Sequence, residues 1–216
     1  MSVRSWSYPV VLVLAAVVGG FASQDAQAAG DAARGKTLGY TCLGCHGVDG
    51  YKNAYPTYSV PKLAGQHPGY IVQALKAYKS GERGHGTMHA HASSMSDKDM
   101  EDIAAYFAGT PIKSAPGSAG TGDTPAVVNT VCSACHGKDG VGIMDTYPTL
   151  SGQHADYIER ALTDYRSGAR RNGIMGPFAG QLKPEEIKIV AKYFAKQKPA
   201  LETLARPQFK ATAPAK

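Results

Sequence analysis

Apolar residues recur at helical spacing along much of this 216-residue chain, and no stretch of useful length alternates apolar with polar positions as a half-buried strand would. In Gly69–Ser80, the residues Ile71, Ala74, Leu75 and Tyr78 fall on one helical face; in His154–Ser167, Ile158, Ala161, Leu162 and Tyr165 do the same. Ser96 predicts an N-cap, with Asp97 and Asp99 in the first turn of a helix running to Ala108. Pro184 suits a first helical position, followed by Glu185 and Glu186, for a helix to Lys196. Ala29–Tyr40 and Pro125–Val131 read as further helical segments. The pattern predicts an all-α fold.

The faces repeat. Displaced by 87 positions, Leu63–Ala108 falls on Leu150–Ala195 with 19 of 46 residues identical. Among them are Gly65-Gln66-His67 on Gly152-Gln153-His154, and Tyr106-Phe107-Ala108 on Tyr193-Phe194-Ala195. This is an internal duplication. Between the copies, Thr110 to Pro125 is rich in Gly, Pro, Ser and Ala, carries no apolar period, and reads as a linker. The expected organisation is a leader over 1–28, an N-terminal domain over 29–110, a linker over 111–124, a C-terminal domain over 125–198 and a tail over 199–216 whose role the residues do not reveal.

The leader expectation rests on Arg4, an apolar run from Val10 through Phe21, and the small-residue site Ala26-Gln27-Ala28. The run is shorter than the ~20 residues of a spanning helix. A cleaved signal peptide and a periplasmic protein are predicted; an uncleaved anchor is the alternative, and no second apolar stretch supports it.

All four cysteines lie in Cys42-Leu43-Gly44-Cys45-His46 and Cys132-Ser133-Ala134-Cys135-His136. This is the attachment spacing of c-type haem, in which two thiols form thioethers and the adjacent histidine takes the iron. Disulfides do not explain a histidine directly after each pair, and a zinc site usually spreads its ligands more widely. The cofactors expected are therefore two covalently bound haem c groups, with His46 and His136 as axial ligands. A porphyrin would also supply apolar mass to domains too small for a thick core.

The formal net charge is +6, and from Gly117 onward 13 Lys/Arg face 9 Asp/Glu. Haem propionates would offset most of this excess, so nucleic acid is not an expected partner. A weakly basic face for an acidic partner and an ordinary solvated surface both fit.

A methionine at the sixth iron position closes the site and raises the potential relative to two nitrogens. Met88 and Met175 coincide under the repeat, whereas Met95 and Met100 fall on Leu182 and Ile187 and read as core, and Met144 has no counterpart. A lone methionine more often packs than ligates; the coincidence selects Met88 and Met175. His85, His89 and His91 flank Met88. They read as surface residues, as competitors for the first iron, or as an accessory metal site. An iron-bound imidazole donates its other N–H to a carbonyl, a role for Pro148, 12 residues after His136, and for Pro61 at the matching place. Tyr78, Arg83, Tyr165 and Arg170 recur near the methionine segments and are candidate propionate contacts, with helix-core packing as the other reading of the tyrosines. Gln66 and Gln153 cap helices or lie near the domain interface.

From about Gly30 to Lys198 the chain resembles the bacterial diheme cytochromes c4, on both CxxCH motifs, the repeated Leu-(Ala/Ser)-Gly-Gln segments, and the Met88 and Met175 segments followed by helices ending Tyr-Phe-Ala. The resemblance implies two tandem class I cytochrome c domains related by a pseudo-twofold, with haem propionates near the interface. It implies a periplasmic electron carrier, not an enzyme. The redox partners expected are a quinol-oxidising complex or dehydrogenase as donor and a terminal oxidase as acceptor, with peripheral membrane association left open. In the first domain Ala90 stands where the family usually has a proline; Pro177 is present in the second. Two further readings stay open: a diheme subunit of a dehydrogenase such as a flavin-dependent sulfide oxidiser, and peroxidase-like or thiosulfate-oxidising activity at the first haem.

Overall fold

A computed structural model describes residues 30–115 and 117–205. The expected leader over 1–28 and the tail beyond Ala205 lie outside the described residues. The first repeat contains α1 (Ala32–Leu38), α2 (Leu43–His46), α3 (Pro68–Ser80), α4 (Gly86–Ser93) and α5 (Asp97–Ala108). The second contains a π-helical turn (Val128–Cys132) running into α6 (Ser133–His136), then α7 (Ala155–Ser167), α8 (Met175–Gln181) and α9 (Pro184–Ala195). Among the described residues β-pairing is limited to isolated bridges. The chain is all-α in two repeated units, as the periodicity implies.

Local chemistry sets the ends of the helices. Ser96 and Asp99 exchange side-chain and backbone hydrogen bonds in a capping box that starts α5. Glu186 accepts the Lys183 N–H at 2.8 Å at the start of α9. The π-helical turn before α6 has no counterpart in the first repeat and is not visible in a 3.6-residue period.

Each repeat buries the predicted faces. Ile71, Leu75 and Tyr78 of α3 are buried, as are Ile158 and Leu162 of α7. Phe107 and Phe194, equivalent under the repeat, are fully buried at the centres of the two cores. Met100 and Ile187 lie in the cores as expected; Met95 packs on the first core and also lines its cavity.

The repeats meet through equivalent residues. Arg83 and Arg170 form an antiparallel bridge, flanked by Gly84 N–H to Ala169 O at 3.1 Å and Arg171 N–H to Glu82 O at 2.7 Å. Each of these contacts is the image of the other under the 87-residue displacement, which makes the interface pseudo-twofold. The linker lacks helix but is tied down: Ile112 N–H donates to Gly65 O at 2.9 Å, and Gln197 pairs with Thr121 through Oε1 and Nε2 at 2.6 and 3.2 Å. Beyond α9 the chain turns back. Leu201 is buried, Ala64 and Glu202 exchange two backbone hydrogen bonds of 3.1 Å, and Leu204 packs on the first core.

Candidate functional site

Each CxxCH motif occupies a single helical turn, α2 or α6, which sets both thiols and the histidine on one cavity. His136 is buried and His46 half-buried, and loss of solvent pushes both below the ordinary histidine range, so they are neutral at pH 7. His46 Nδ1 donates to Pro61 O and His136 Nδ1 to Pro148 O, each at 2.9 Å. With Nδ1 as donor, Nε2 is the basic nitrogen left for a metal. Burial also raises the Cys42 and Cys132 thiols, the latter to about 11.

The first cavity, about 360 Å³, is lined by Cys42, Cys45, His46, Met88 and Arg83; the second, about 650 Å³, by Cys132, Cys135, His136, Met175 and Arg170. The structure thus gathers each sequence-predicted thiol pair, histidine and methionine around one cavity. Met144 is exposed and lines neither cavity.

Arg83 and Arg170 are buried beside these cavities. Arg83 donates to Tyr157 Oη at 2.6 Å and Arg170 to Tyr70 Oη at 3.0 Å, both across the interface. Each guanidinium also lies over a tyrosine of its own repeat, Tyr78 or Tyr165, at 4.4 Å from the ring centroid. Tyr78 and Tyr165 therefore support the arginines through their ring faces; burial raises their hydroxyls, that of Tyr165 to about 12. Burial of Tyr70 is outweighed by Arg170 and Arg83, which draw its hydroxyl down to about 7. Among the described residues neither arginine pairs with a carboxylate. Two buried cations without anions are costly, and the arrangement fits a group bearing carboxylates. Tyr70 and Tyr157 were not among the predicted site residues; the Tyr-Ile pair repeated at both positions was the available signal.

The three histidines take different partners, although His85 lines the first cavity together with His91. His85 Nδ1 accepts the Met88 N–H at 3.3 Å and its Nε2 meets Asn53 Oδ1 at 3.2 Å. His89 Nδ1 turns to Tyr78 O at 2.7 Å. His91 lines the first cavity. Among the described residues no three His, Cys, Asp or Glu side chains gather as a metal site, so the accessory-metal reading of this cluster finds no support in the geometry.

Two helical units, each presenting a CxxCH turn, a neutral histidine and a methionine to one cavity, define a tandem of cytochrome c domains. The family described as cytochrome c matches residues 32–110, and that described as cytochrome c oxidase, cbb3-type, subunit III matches residues 122–194. The chain is 38% identical over 187 residues to cytochrome c4 of Pseudomonas aeruginosa, covering 78% of this chain and 89% of that protein. It is 33% identical over 172 residues to a thiosulfate dehydrogenase electron acceptor of Stutzerimonas stutzeri, covering 71% of this chain and 77% of that protein. The crystal structure of reduced recombinant cytochrome c4 from Pseudomonas stutzeri superposes with a TM-score of 0.61 at 34% identity, over 78% of this chain and all of that one. The chain belongs to the cytochrome c4 family: it is an electron-transfer protein with two covalently bound haem c groups. Among the described residues no helix is long and apolar enough to cross a membrane.

Proposed function

We propose that this protein is a periplasmic diheme carrier that passes single electrons between respiratory redox proteins, taking them from a quinol-oxidising complex or dehydrogenase and delivering them toward a terminal oxidase. Cys42 and Cys45 hold the first haem and Cys132 and Cys135 the second. His46 with Met88, and His136 with Met175, would supply the ligands to the two irons. When bound, each haem supplies one reversible electron at its iron. The residues around it keep that exchange cheap in reorganisation. Pro61 and Pro148 hold the imidazoles in one orientation and tautomer. Arg83 and Arg170, each steadied by a tyrosine ring and a tyrosine hydroxyl, receive propionates.

The observation that carries this reading is the duplicated set of a histidine on a proline carbonyl and a methionine on the same cavity. An anaerobic spectroelectrochemical titration of the mature holoprotein tests it. The wild type is expected to show two low-spin haems with a sulfur-to-iron charge-transfer band, and Met88→Ala to lose half of that band. A high-spin or bis-histidine haem in the wild type, untouched by Met88→Ala, would overturn the assignment.

A second reading of the donor has support in the similarity to a thiosulfate dehydrogenase electron acceptor. On it, the protein serves a sulfur-compound dehydrogenase as partner or diheme subunit, as in flavin-dependent sulfide oxidisers. Reduction by a purified thiosulfate dehydrogenase and its substrate, faster than by a quinol-oxidising complex, would favour this reading.

A further inference from the structure

The repeated Leu-(Ala/Ser)-Gly-Gln segments make paired bonds across the interface, and both of their glutamines also line the first cavity. Each is a turn closed by the glutamine N–H, Gln66 to Leu63 O and Gln153 to Leu150 O, both at 3.1 Å. The third residue is left-handed, with φ of 85° at Gly65 and 68° at Gly152, as a type II turn requires. A Cβ at Gly152 would also lie 2.3 Å from that of Ala200. These turns aim both glutamines across the interface, where they are 3% and 4% exposed.

Gln66 takes both polar groups of one residue of the other repeat: Thr149 N–H donates to its Oε1 at 2.8 Å, and its Nε2 donates to Thr149 O at 2.9 Å. Gln153 does the same to Lys62, with both bonds at 3.0 Å. The residue held is in each case the one directly after the proline that receives the histidine N–H. Pro61 C=O and Lys62 N–H belong to one planar peptide unit, as do Pro148 C=O and Thr149 N–H. The plane that accepts from His46 therefore donates, from its opposite edge, to Gln153; the plane that accepts from His136 donates to Gln66.

We propose that Gln66 and Gln153 are positioning residues that act in trans, each domain setting the orientation and basicity of the other domain's iron-bound histidine. The inference rests on the reading of His46 and His136 as axial ligands. Its physical basis is the polarisation of linked hydrogen bonds. An N–H bonded on one edge of a peptide makes the carbonyl on the other edge a better acceptor, which makes the imidazole a more basic ligand and favours the oxidised iron. A glutamine lost from one domain should then release the histidine of the other and raise that other haem's potential.

The test is Gln66→Leu and Gln153→Leu in the full holoprotein, with each haem's midpoint followed separately through the ε-methyl proton resonances of Met88 and Met175, assigned with Met88→Ala. The expected result is crossed. Gln66→Leu raises the midpoint of the His136 haem and shifts its imidazole resonances while those of the His46 imidazole stay in place; Gln153→Leu does the reverse. A shift on the same side, an equal shift of both haems, or none would overturn the inference. Where a leucine variant fails to retain both haems, Gln66→Asn and Gln153→Asn, which keep the amide but shorten its reach, are read in the same way. A wild type lacking two histidine–methionine haems would sink the ligand reading itself, a result distinct from an uncrossed response.

Discussion

In the first repeat a histidine caps the methionine-bearing helix; in the second an asparagine braces the turn that leads into it. His85 Nδ1 accepts from Met88 N–H at 3.3 Å, whereas Asn172, its counterpart, accepts from Ile174 and Met175 N–H at 3.0 and 2.9 Å through Oδ1. The residues around these caps diverge too. Ile174 and Phe178 are exposed beside the second cavity, where the first repeat has Thr87 and His91. The buried frame differs far less: histidine on proline, arginine on tyrosine and glutamine on peptide all recur with nearly equal geometry. Duplication has preserved what is enclosed and left the rims free to acquire separate surfaces, apolar around one haem and polar around the other.

Two core substitutions test this contrast most strongly. Phe107→Ala and Phe194→Ala each empty the centre of one core and should cost ~3–5 kcal/mol, measured by urea unfolding of the reduced holoprotein. Because the glutamines and the returning C-terminal segment tie the repeats together, either variant should lower a single transition shared by both haems. Two separated transitions, only one of them shifted, would show the repeats to be independent.

Acid should weigh on the two repeats unequally, with a smaller effect. Asp102 is buried under Asp31 N–H, Arg34 and Lys98, and Asp99 is bonded by Ser96 and Arg34. Hydrogen bonds from Lys98 and Arg34 hold the Asp102 carboxyl down at about 2, and those from Ser96 and Arg34 hold Asp99 at about 2. A carboxyl depressed in the folded state contributes its stability fully above its ordinary value near 4 and loses it as pH falls toward 2. Asp102 corresponds to Ile189 in the second repeat. The shared transition should therefore lose stability between about pH 4 and pH 2 through carboxylates of the first repeat. Asp102→Asn should lower stability at pH 7 while flattening its dependence on pH in that window. An Asp102→Asn protein whose stability falls with acid as steeply as that of the wild type would contradict this account.

The smallest effect is expected from exchanging the caps. His85→Asn should keep the first charge-transfer band and change stability by no more than ~1 kcal/mol, since one competent cap replaces another; His85→Ala should cost more. Thermal melts of the two variants decide the point.

What could be read from the residues was what local chemistry encodes. Ser96, Pro184 and the faces of α3 and α7 act within a turn or two of themselves. The repeat singled out Met88, Met175, Pro61, Pro148 and both arginines because equivalent positions carry equivalent residues. The π-helical turn before Cys132 obeys no 3.6-residue period. The partners across the interface were also hidden: Arg83 meets Tyr157, 74 residues away, and Gln66 meets Thr149, 83 away. The repeat identifies such residues but leaves open whether each bonds within its own copy or with the other.

The segment after α9 bears on biogenesis. Leu204 packs on the first core and Glu202 pairs with Ala64, so the first repeat is completed by residues that follow the second in the chain. During synthesis Cys42 and Cys45 therefore precede the segment that packs over their domain, and the half made earlier waits for its last contacts on residues beyond the other half.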